Sequence, residues 1–519
     1  MAERTETGSG LSGLGVLAGG VAARESRSRA DHARLLARDA GLWPAAAGSA
    51  ASWMGWLDSL ARAEEHLRGL HDVVGALLDD GITQVVLIGM GGSSLFPMVL
   101  TGACGRAEGR PELHVLDSVD PAAVVRLERT VDWSRAAVVA ASKSGTTVET
   151  LAHLDRFLLR LSEACGSDAP SRIVVITDPG GPLEERARSE GFRAVVHGDA
   201  DVGGRYSALS PFGLLPAVLL GLDVDTFLDH ARAADARWRD DPWSSDGPAL
   251  LAAFLAEGVA SGRDALHLII DARAGLLGAW IEQLVAESSG KDGTGVVPVV
   301  VASTDEVVAR SRAAVVAIGA FAGLADLVAD GVPTLSIPWS GCTHLGAEAL
   351  RWMQAVPLAC AQLAVDPFDQ PDVASAKAAT AEALERGSEP DGPVTLAELD
   401  GAAAGAGYVA VLAYVDPDGD TARAIADAAP DLARRYGVPV TVGVGPRYLH
   451  STGQLHKGGR DDGIFLMVVG DDPDDVPIPG RPYGFSRLKR AQAAGDLAAL
   501  RAAGRRAEVI ALEELLGRA

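Results

Sequence analysis

A turn rich in hydroxyl side chains, with one lysine, lies at residues 142–147. It follows an apolar run at 136–141 and precedes a helical pattern that begins at Val148. The N–H groups and dipole of a helix N-terminus favour an anion, and the hydroxyls and ammonium add further donors. A helix cap needs one hydroxyl, so the excess favours a phosphate site. The candidate phosphate ligands are Ser142, Lys143, Ser144 and Thr147.

A second turn, rich in glycine and serine, follows the apolar run at 85–88. Glycines let a backbone approach a ligand closely, and serines add hydroxyls. The spacing does not fit a dinucleotide-binding loop, because position 94 is serine, although Asp117 could mimic the acid that binds ribose. We therefore assign this turn to a substrate, with candidate residues Gly91, Gly92 and Ser93.

Several groups could carry acid–base or electrostatic chemistry. Glu287 ends an apolar helix pattern, where burial would raise its pKa towards that of a general base; a solvated helix-end carboxylate is the alternative. Gln283 lies one turn earlier on the same face and could bind the same ligand. Arg205 is expected to be an exposed cation on a flexible turn, either stabilising an oxyanion or forming a surface ion pair. His450 and His456 share a polar loop suited to proton transfer.

Alternating apolar strands and helices predict an α/β fold with two doubly wound, mostly parallel domains and a smaller C-terminal α/β unit. Both Ser-rich turns would then lie at the carboxyl ends of strands, where such sheets bind ligands. The two main domains could be a weak internal duplication. The predicted bounds are 1–75 for an N-terminal helical segment, 76–225 and 226–378 for the two domains, 378–400 for a linker or loop, and 400–519 for the C-terminal unit carrying His450.

Composition narrows the partners and the compartment. The chain has 519 residues and a net charge of −23, which argues against nucleic acid or an anionic membrane as the main partner. Four scattered cysteines without CxxC spacing argue against a zinc cluster or disulfide framework and fit a reducing cytoplasm. We expect no signal peptide and no transmembrane run. Only five of the 46 basic residues are lysine, and four of these fall within the motifs described here: Lys143, Lys291, Lys377 and Lys457.

Five motifs in this order resemble those of the phosphoglucose isomerase family, which has tandem sugar isomerase domains. They are Gly89–Ser93, Ser142–Thr150, Gly203–Ser207, Glu287–Lys291, and Phe368–Gln370 with Lys377 seven residues further on.

The resemblance implies a cytoplasmic enzyme of glycolysis and gluconeogenesis that interconverts glucose 6-phosphate and fructose 6-phosphate through a cis-enediol. No metal or redox cofactor is implied. By the same resemblance Glu287 is the catalytic base and Arg205 offsets enediolate charge. Lys377 and a histidine assist ring opening, and Gln370 binds substrate.

The histidine motif departs from the usual family order. The ring-opening histidine normally precedes the motif that contains Gln370, whereas here residues 448–458 follow it. This order resembles the isomerase half of bacterial transaldolase–phosphoglucose isomerase fusions. In such fusions a transaldolase barrel precedes the isomerase half. The barrel is absent from this sequence, so we expect no transaldolase activity. His450 is the predicted ring-opening group and His456 the alternative.

Three points stay open at this stage. The substrate could be another sugar phosphate, such as mannose 6-phosphate. A non-catalytic sugar-phosphate sensor is a different class of protein, which the joint presence of Glu287, Arg205 and Lys377 disfavours. Members of the family usually form dimers, so the resemblance implies a homodimer. We expect no nucleic acid or membrane partner.

Overall fold

The computed structural model describes residues 13–46, 48–390, 392–403 and 405–517, without the side chains of 373–377 and 401–403. Three α-helices come first in the described chain; the first two pack on helices of the second α/β unit, Pro248–Ala260 and Leu345–Leu363, and the third packs on the helix Pro211–Leu220. These three are α1 (Ala18–Ala23), α2 (Glu25–Leu36) and α3 (Ser59–Asp79). No helix among the described residues is long and apolar enough to cross a membrane.

The first unit is built on a five-stranded parallel sheet. Its elements are β1 (Gln84–Gly89), α4 (Leu95–Cys104), β2 (Glu112–Leu116), α5 (Pro121–Thr130), β3 (Ala136–Ala141), α6 (Val148–Cys165), β4 (Ile173–Thr177), α7 (Pro182–Glu190) and β5 (Ala194–His197). The strand order is β2-β1-β3-β4-β5. β3 and β4 are buried along their whole length, as expected for parallel strands covered by helices on both faces.

Three helices lead to the second unit, whose sheet has four parallel strands. The elements are α8 (Pro211–Leu220), α9 (Val224–Asp240), α10 (Pro248–Ala260), β6 (Ala265–Ile270), α11 (Leu277–Ser289), β7 (Val297–Val301), β8 (Ala313–Ile318), α12 (Leu324–Ala329), β9 (Thr334–Ile337) and α13 (Leu345–Leu363). The strand order, β7-β6-β8-β9, repeats that of the first four strands of the first sheet.

The predicted linker at 378–400 is wrong in its first part. A helix, α14 (Pro371–Arg386), extends through it, and a second, α15 (Leu396–Ala403), begins before its end. The segment is rich in alanine, has proline in its first turn and ends at Gly387 with φ of +68°, which are start and stop features of a helix. Its glutamates and prolines suggested a loop, but this helix packs against the C-terminal unit.

The C-terminal unit contains a third parallel sheet. Its elements are β10 (Tyr408–Tyr414), α16 (Asp420–Tyr436), β11 (Val440–Val444), α17 (Gly453–Gly458), β12 (Gly463–Val469), α18 (Phe485–Ala502), β13 (Arg506–Val509) and α19 (Leu512–Leu515). The order β11-β10-β12-β13 is again the one found in the other two sheets, and β13 was not predicted. The predicted α/β fold with parallel sheets is confirmed, while the exact domain bounds remain predictions.

The third unit shares apolar cores with both other units. Leu488 and Phe485 of α18 are buried in a cluster with one face of the first sheet. Leu412 of β10 and Val315 of β8 belong to another cluster, between the second and third sheets. The third unit is therefore held in a fixed place beside the carboxyl end of the first sheet.

Candidate active site

Two predicted ligand turns leave the first sheet side by side. Gly89, the last residue of β1, pairs with Ala141, the last residue of β3. The turn with Gly91–Ser93 and the turn at Ser142–Thr147 therefore begin at neighbouring points of the carboxyl edge. The structure brings these two sets of predicted residues together.

The Gly91–Ser93 turn is in close contact with three other parts of the site. A Cβ atom on Gly91, whose φ is +56°, would lie 2.8 Å from the carbonyl oxygen of His450 and 2.9 Å from Nε2 of Gln283. A Cβ atom on Gly92 would lie 1.9 Å from the carbonyl oxygen of Gly204. Both positions therefore require glycine, because any side chain would separate these segments.

The hydroxyl-rich turn groups its oxygens at the start of α6. The Ser142 and Thr147 hydroxyls are 3.0 Å apart, and those of Ser144 and Thr146 are 2.9 Å apart. Gly145 adopts a φ of +68° between them. The arrangement keeps several donors beside the helix N-terminus, as a phosphate site requires.

Lys143 is engaged by a carboxylate in this structure. Its ammonium donates to Asp178 and lies 3.3 Å and 3.2 Å from the carbonyl oxygens of Asp199 and Ala200. Burial raises the pKa of Asp178, although Lys143 opposes the shift. A phosphate would compete with Asp178 for this ammonium, and the role of Lys143 in binding stays a prediction.

Glu287 is buried near the end of α11, only 5% exposed. Its Oε1 accepts a hydrogen bond of 3.0 Å from Nη1 of Arg205, and its Oε2 accepts one of 3.1 Å from Nε2 of Gln283. Burial raises the pKa of Glu287, and Arg205 is the main opposing influence. A buried carboxylate of raised pKa has the properties expected of a general base.

Arg205 is buried, so the expectation of an exposed cation on a flexible turn is wrong. Its side chain is 1% exposed and donates to Glu287, to Oγ of Ser288 at 2.8 Å and to the carbonyl oxygens of Pro367 and Asp369. The ion pair and hydrogen bonds satisfy the guanidinium, which allows it to be buried. Neighbouring glycines had suggested exposure, but α11 covers the turn.

Gln370 and Lys377 lie beside this cluster along the chain. Gln370 immediately precedes α14, is half-buried and follows Asp369, whose carbonyl oxygen accepts from Arg205. Lys377 lies within α14, but its side chain is outside the described part of the structure. The predicted roles of both residues remain predictions.

His450 reaches the site from the third unit. Its carbonyl oxygen accepts from Nε2 of Gln283 at 2.8 Å, and its Nε2 lies 3.0 Å from Oε1 of Glu149. The same oxygen of Glu149 accepts from Nε2 of Gln492 at 2.7 Å. The Gln283 amide thus connects the backbone of His450 to the Glu287 carboxylate.

Sequence reasoning gave Glu149 and Gln492 no role. Glu149 belongs to the phosphate-loop motif, yet an acid in the first turn of a helix ordinarily serves the helix dipole. Burial would raise the pKa of Glu149, but the nearby imidazole of His450 and hydrogen bonds from His450 and Gln492 outweigh it and hold the pKa below its usual value. An ionised carboxylate can only accept hydrogen bonds, so Nε2 of His450 carries the proton. In the neutral imidazole Nδ1 is then the unprotonated nitrogen, which can accept a proton.

A cavity of about 260 Å³ adjoins this group. Its lining includes Thr147, Glu149, His450, Leu488 and Gln492. The cavity therefore connects the start of α6 with the imidazole.

His456, the alternative to His450, lies elsewhere. Its ring is buried against Tyr408, Tyr448 and Phe465 inside the third unit. Burial and the neighbouring Lys457 lower its pKa to about 3, so it is neutral at physiological pH. Of the two histidines, the structure brings His450 to Glu287 and its neighbours.

Asp117 is committed to a structural ion pair. Its two carboxylate oxygens accept from Nε and Nη2 of Arg447, both at 2.8 Å, and it also accepts from Ser94. This bidentate pair occupies the carboxylate that could have mimicked a ribose-binding acid. Within the described residues, no cluster of His, Cys, Asp and Glu is arranged to hold a metal ion.

The three parallel sheets and the side chains that meet beside the carboxyl edge of the first sheet define an α/β protein with one composite site. Residues 65–313 match the model of the phosphoglucose isomerase family. The family resemblance seen in the motifs is thereby confirmed. The closer resemblance to a fusion half remains a prediction.

Two relatives show how far the similarity extends. The chain is 43% identical to a glucose-6-phosphate isomerase of Thermus thermophilus over 189 residues, which are 36% of this chain and 44% of the relative. It is 35% identical to that of Rubrobacter xylanophilus over 250 residues, 46% of this chain and 57% of the relative. The chain thus spans about half the length of the curated relatives it matches.

Solved structures extend the likeness beyond the matched segment. A hypothetical protein from Thermus thermophilus superimposes with a TM-score of 0.60 at 28% identity, covering 70% of this chain and 96% of its own. A glucose-6-phosphate isomerase from Chlamydia trachomatis gives 0.53 at 20% identity, covering 65% and 75%, which supports the fold.

Proposed function

We propose that this protein interconverts glucose 6-phosphate and fructose 6-phosphate. The observation that carries the proposal is the buried Glu287 carboxylate, which contacts Arg205 and is joined through Gln283 to the segment of His450. A carboxylate of raised pKa and a free imidazole nitrogen beside a hydroxyl-rich helix start provide a base, an acid–base group and a phosphate site together.

Ring opening is the first chemical step. The phosphate binds at the start of α6, and Gly91, Gly92 and Ser93 line the sugar. Nδ1 of His450, with Lys377, moves the proton between the ring oxygen and the anomeric hydroxyl, while Glu149 holds the opposite nitrogen. The product of this step is the open-chain aldose or ketose.

Isomerisation follows on the open chain. Glu287 removes the proton from C2 of the aldose to give an enediolate, and the proton of the C2 hydroxyl passes to the C1 oxygen. The protonated Glu287 carboxyl then returns its proton to C1, and C2 becomes the carbonyl carbon of the ketose. Negative charge develops on the enediolate oxygens, and the Arg205 guanidinium beside Glu287 stabilises it. Gln283 and Gln370 orient the substrate.

Replacement of the base tests the mechanism. Glu287→Gln is expected to lower turnover of fructose 6-phosphate by roughly 10²–10⁴-fold with binding nearly unchanged, because the amide cannot accept the C2 proton. Turnover is measured by oxidation of the glucose 6-phosphate formed, and binding by calorimetry. Glu282→Gln is the matched control, since Glu282 is on the same helix but lines a separate cavity.

The same assay separates the other candidate functions. Near-wild-type turnover by Glu287→Gln would refute the base assignment. Preferential turnover of mannose 6-phosphate over glucose 6-phosphate would indicate a mannose-6-phosphate isomerase. Binding of both sugars by the wild type without turnover of either would indicate a sensor.

We further propose that the protein acts as a cytoplasmic homodimer on a free sugar phosphate, without a nucleic acid or membrane partner. The family resemblance supports the dimer, and the net charge of −23 disfavours anionic partners. Light scattering across a dilution series should give twice the chain mass, and a mass equal to one chain at all concentrations would contradict the dimer.

A further inference from the structure

We propose that Gln492 is a positioning residue for His450 that acts through Glu149 in ring opening; this inference rests on the proposed function. Gln492 lies on α18, in the third unit, and outside the segment that matches the family. It has no assigned role, yet it is 2% exposed and contacts the carboxylate that holds the imidazole.

The contact geometry gives Glu149 a single orientation. Nε2 of Gln492 and Nε2 of His450 approach the same oxygen, Oε1, at 2.7 Å and 3.0 Å. Two N–H groups that converge on one carboxylate oxygen fix its position more tightly than the histidine alone would. Because Glu149 sets which nitrogen of His450 is protonated, Gln492 indirectly sets the availability of Nδ1.

Charge supplies a second reason for the residue type. Glu149 is 3% exposed, and burial without donors would favour its neutral form. The hydrogen bond from Gln492 is one of the influences that hold its pKa low. A protonated Glu149 would lose its full negative charge, and the imidazole would lose the partner that stabilises its protonated form during proton transfer.

The carbonyl oxygen of the Gln492 amide indicates that this residue contributes little to stability. Its Oε1 is buried and has no hydrogen-bond partner among the described residues. An unsatisfied buried oxygen is costly, and this cost offsets part of the stability that the hydrogen bond to Glu149 contributes. The N–H group towards Glu149 is the feature that an apolar residue would lack.

The test compares a closed-ring with an open-chain substrate. Fructose 6-phosphate closes its ring through the 5-hydroxyl, so 5-deoxyfructose 6-phosphate remains open and needs no ring opening. For Gln492→Met we expect kcat/KM on fructose 6-phosphate to fall roughly 10–100-fold, as for other outer partners of an oriented histidine. On the open-chain substrate we expect less than about a twofold change, since the Glu287 chemistry is untouched. Both rates are measured by proton NMR.

Two further measurements exclude a merely structural effect. The melting temperature of Gln492→Met should stay close to that of the wild type, because loss of the hydrogen bond to Glu149 is offset by removal of the unsatisfied Oε1. The ¹⁵N NMR signals of His450 should show a weaker preference for the Nε2–H tautomer than in the wild type, because Glu149 is no longer held in one position. Gln362→Met is the matched control, a glutamine on α13 that bonds Ser28 and Arg24 away from the site.

Several outcomes would overturn the inference. These are an unchanged rate on fructose 6-phosphate, an equal loss on both substrates, or an unchanged tautomer preference of His450. A wild-type protein that converts neither substrate would instead refute the proposed function, so the two failures are distinguishable.

Discussion

Glu287 and Arg205 form a buried ion pair, and in the proposed mechanism the two residues have different roles in the isomerisation step. The guanidinium reduces the cost of burying the carboxylate, yet burial remains the stronger influence and keeps the pKa of Glu287 raised. Arg205 has five donors in a fixed plane, and four acceptors surround it in the structure. Because the ion pair with Arg205 only partly offsets the effect of burial, the Glu287 carboxylate can take up a proton and return it.

This balance predicts the pH dependence of catalysis. A base must be ionised to accept a proton, and a raised pKa means that activity is lost at a higher pH than for an ordinary glutamate, whose pKa is about 4.3. We expect the acid limb of kcat/KM, measured with fructose 6-phosphate, to lie above that value.

Glu282 supplies the control for this experiment. Burial raises the pKa of Glu282 to about 8 on the same helix, so its titration could be mistaken for that of the base. The acid limb should be unchanged in Glu282→Gln. A wild-type limb at or below the ordinary glutamate value would contradict the assignment of Glu287.

At the scale of elements, turns at the strand ends bring together the segments that carry the site. The Gly91–Ser93 turn contacts the segments of Gly204, Gln283 and His450, which come from all three units. Parallel strands place such turns along one edge, and glycine lets the backbones approach within contact distance.

Gly91→Ala tests this close approach. The added Cβ would lie 2.8 Å from the His450 carbonyl oxygen and 2.9 Å from Gln283 Nε2, so the His450 segment must shift. We expect kcat to fall by about 10²-fold, as misplacement of catalytic groups by about 1 Å can cause. Activity assays and melting temperatures measure the two effects.

The variant Gly191→Ala separates the effect of backbone strain from the effect of displacing neighbouring segments. Gly191 has a φ of +72° but open space around its Cβ position, so it carries the backbone strain without the clash. Its melting temperature should fall while its kcat remains that of the wild type. Equal kcat losses in the two variants would show that close contact at Gly91 is not what matters.

Across the whole molecule, the third unit contributes His450, the proposed ring-opening group, to a site that it shares with the other two units. Its sheet shares cores with both neighbours, and Arg447 joins it to Asp117 of the first unit by two hydrogen bonds of 2.8 Å. Arg447 is close to His450 along the chain, so this ion pair also anchors the turn that carries the imidazole.

Removing one partner of the pair should affect both stability and activity. In Arg447→Met, Asp117 remains buried without its cation, which costs about 3–5 kcal/mol at comparable sites. We expect a lower urea midpoint and a reduced kcat. In the double variant Asp117→Asn/Arg447→Met the midpoint should recover in part, because no unpaired charge remains. Additive losses would show that the two residues do not act as a pair.

The strands, the two ligand turns and the family could all be predicted from local sequence. Buried parallel strands are continuous apolar runs, and glycine, serine and lysine at strand ends are local signals that need no tertiary information. The catalytic candidates Glu287 and His450 came from motifs of the same kind. The helical propensity of residues 378–386 is also present locally, but their interpretation as part of a linker is wrong.

Which side chains meet depends on the tertiary structure. His450 lies 301 residues from Glu149, and Gln492 lies 343 residues from it, separations over which sequence periodicity gives no information. Burial of Arg205 likewise depends on α11 and on the segment before α14. Burial and pairing fix protonation, so the pKa directions of Glu287 and Glu149, and the choice of His450 over His456, follow from packing among all three units.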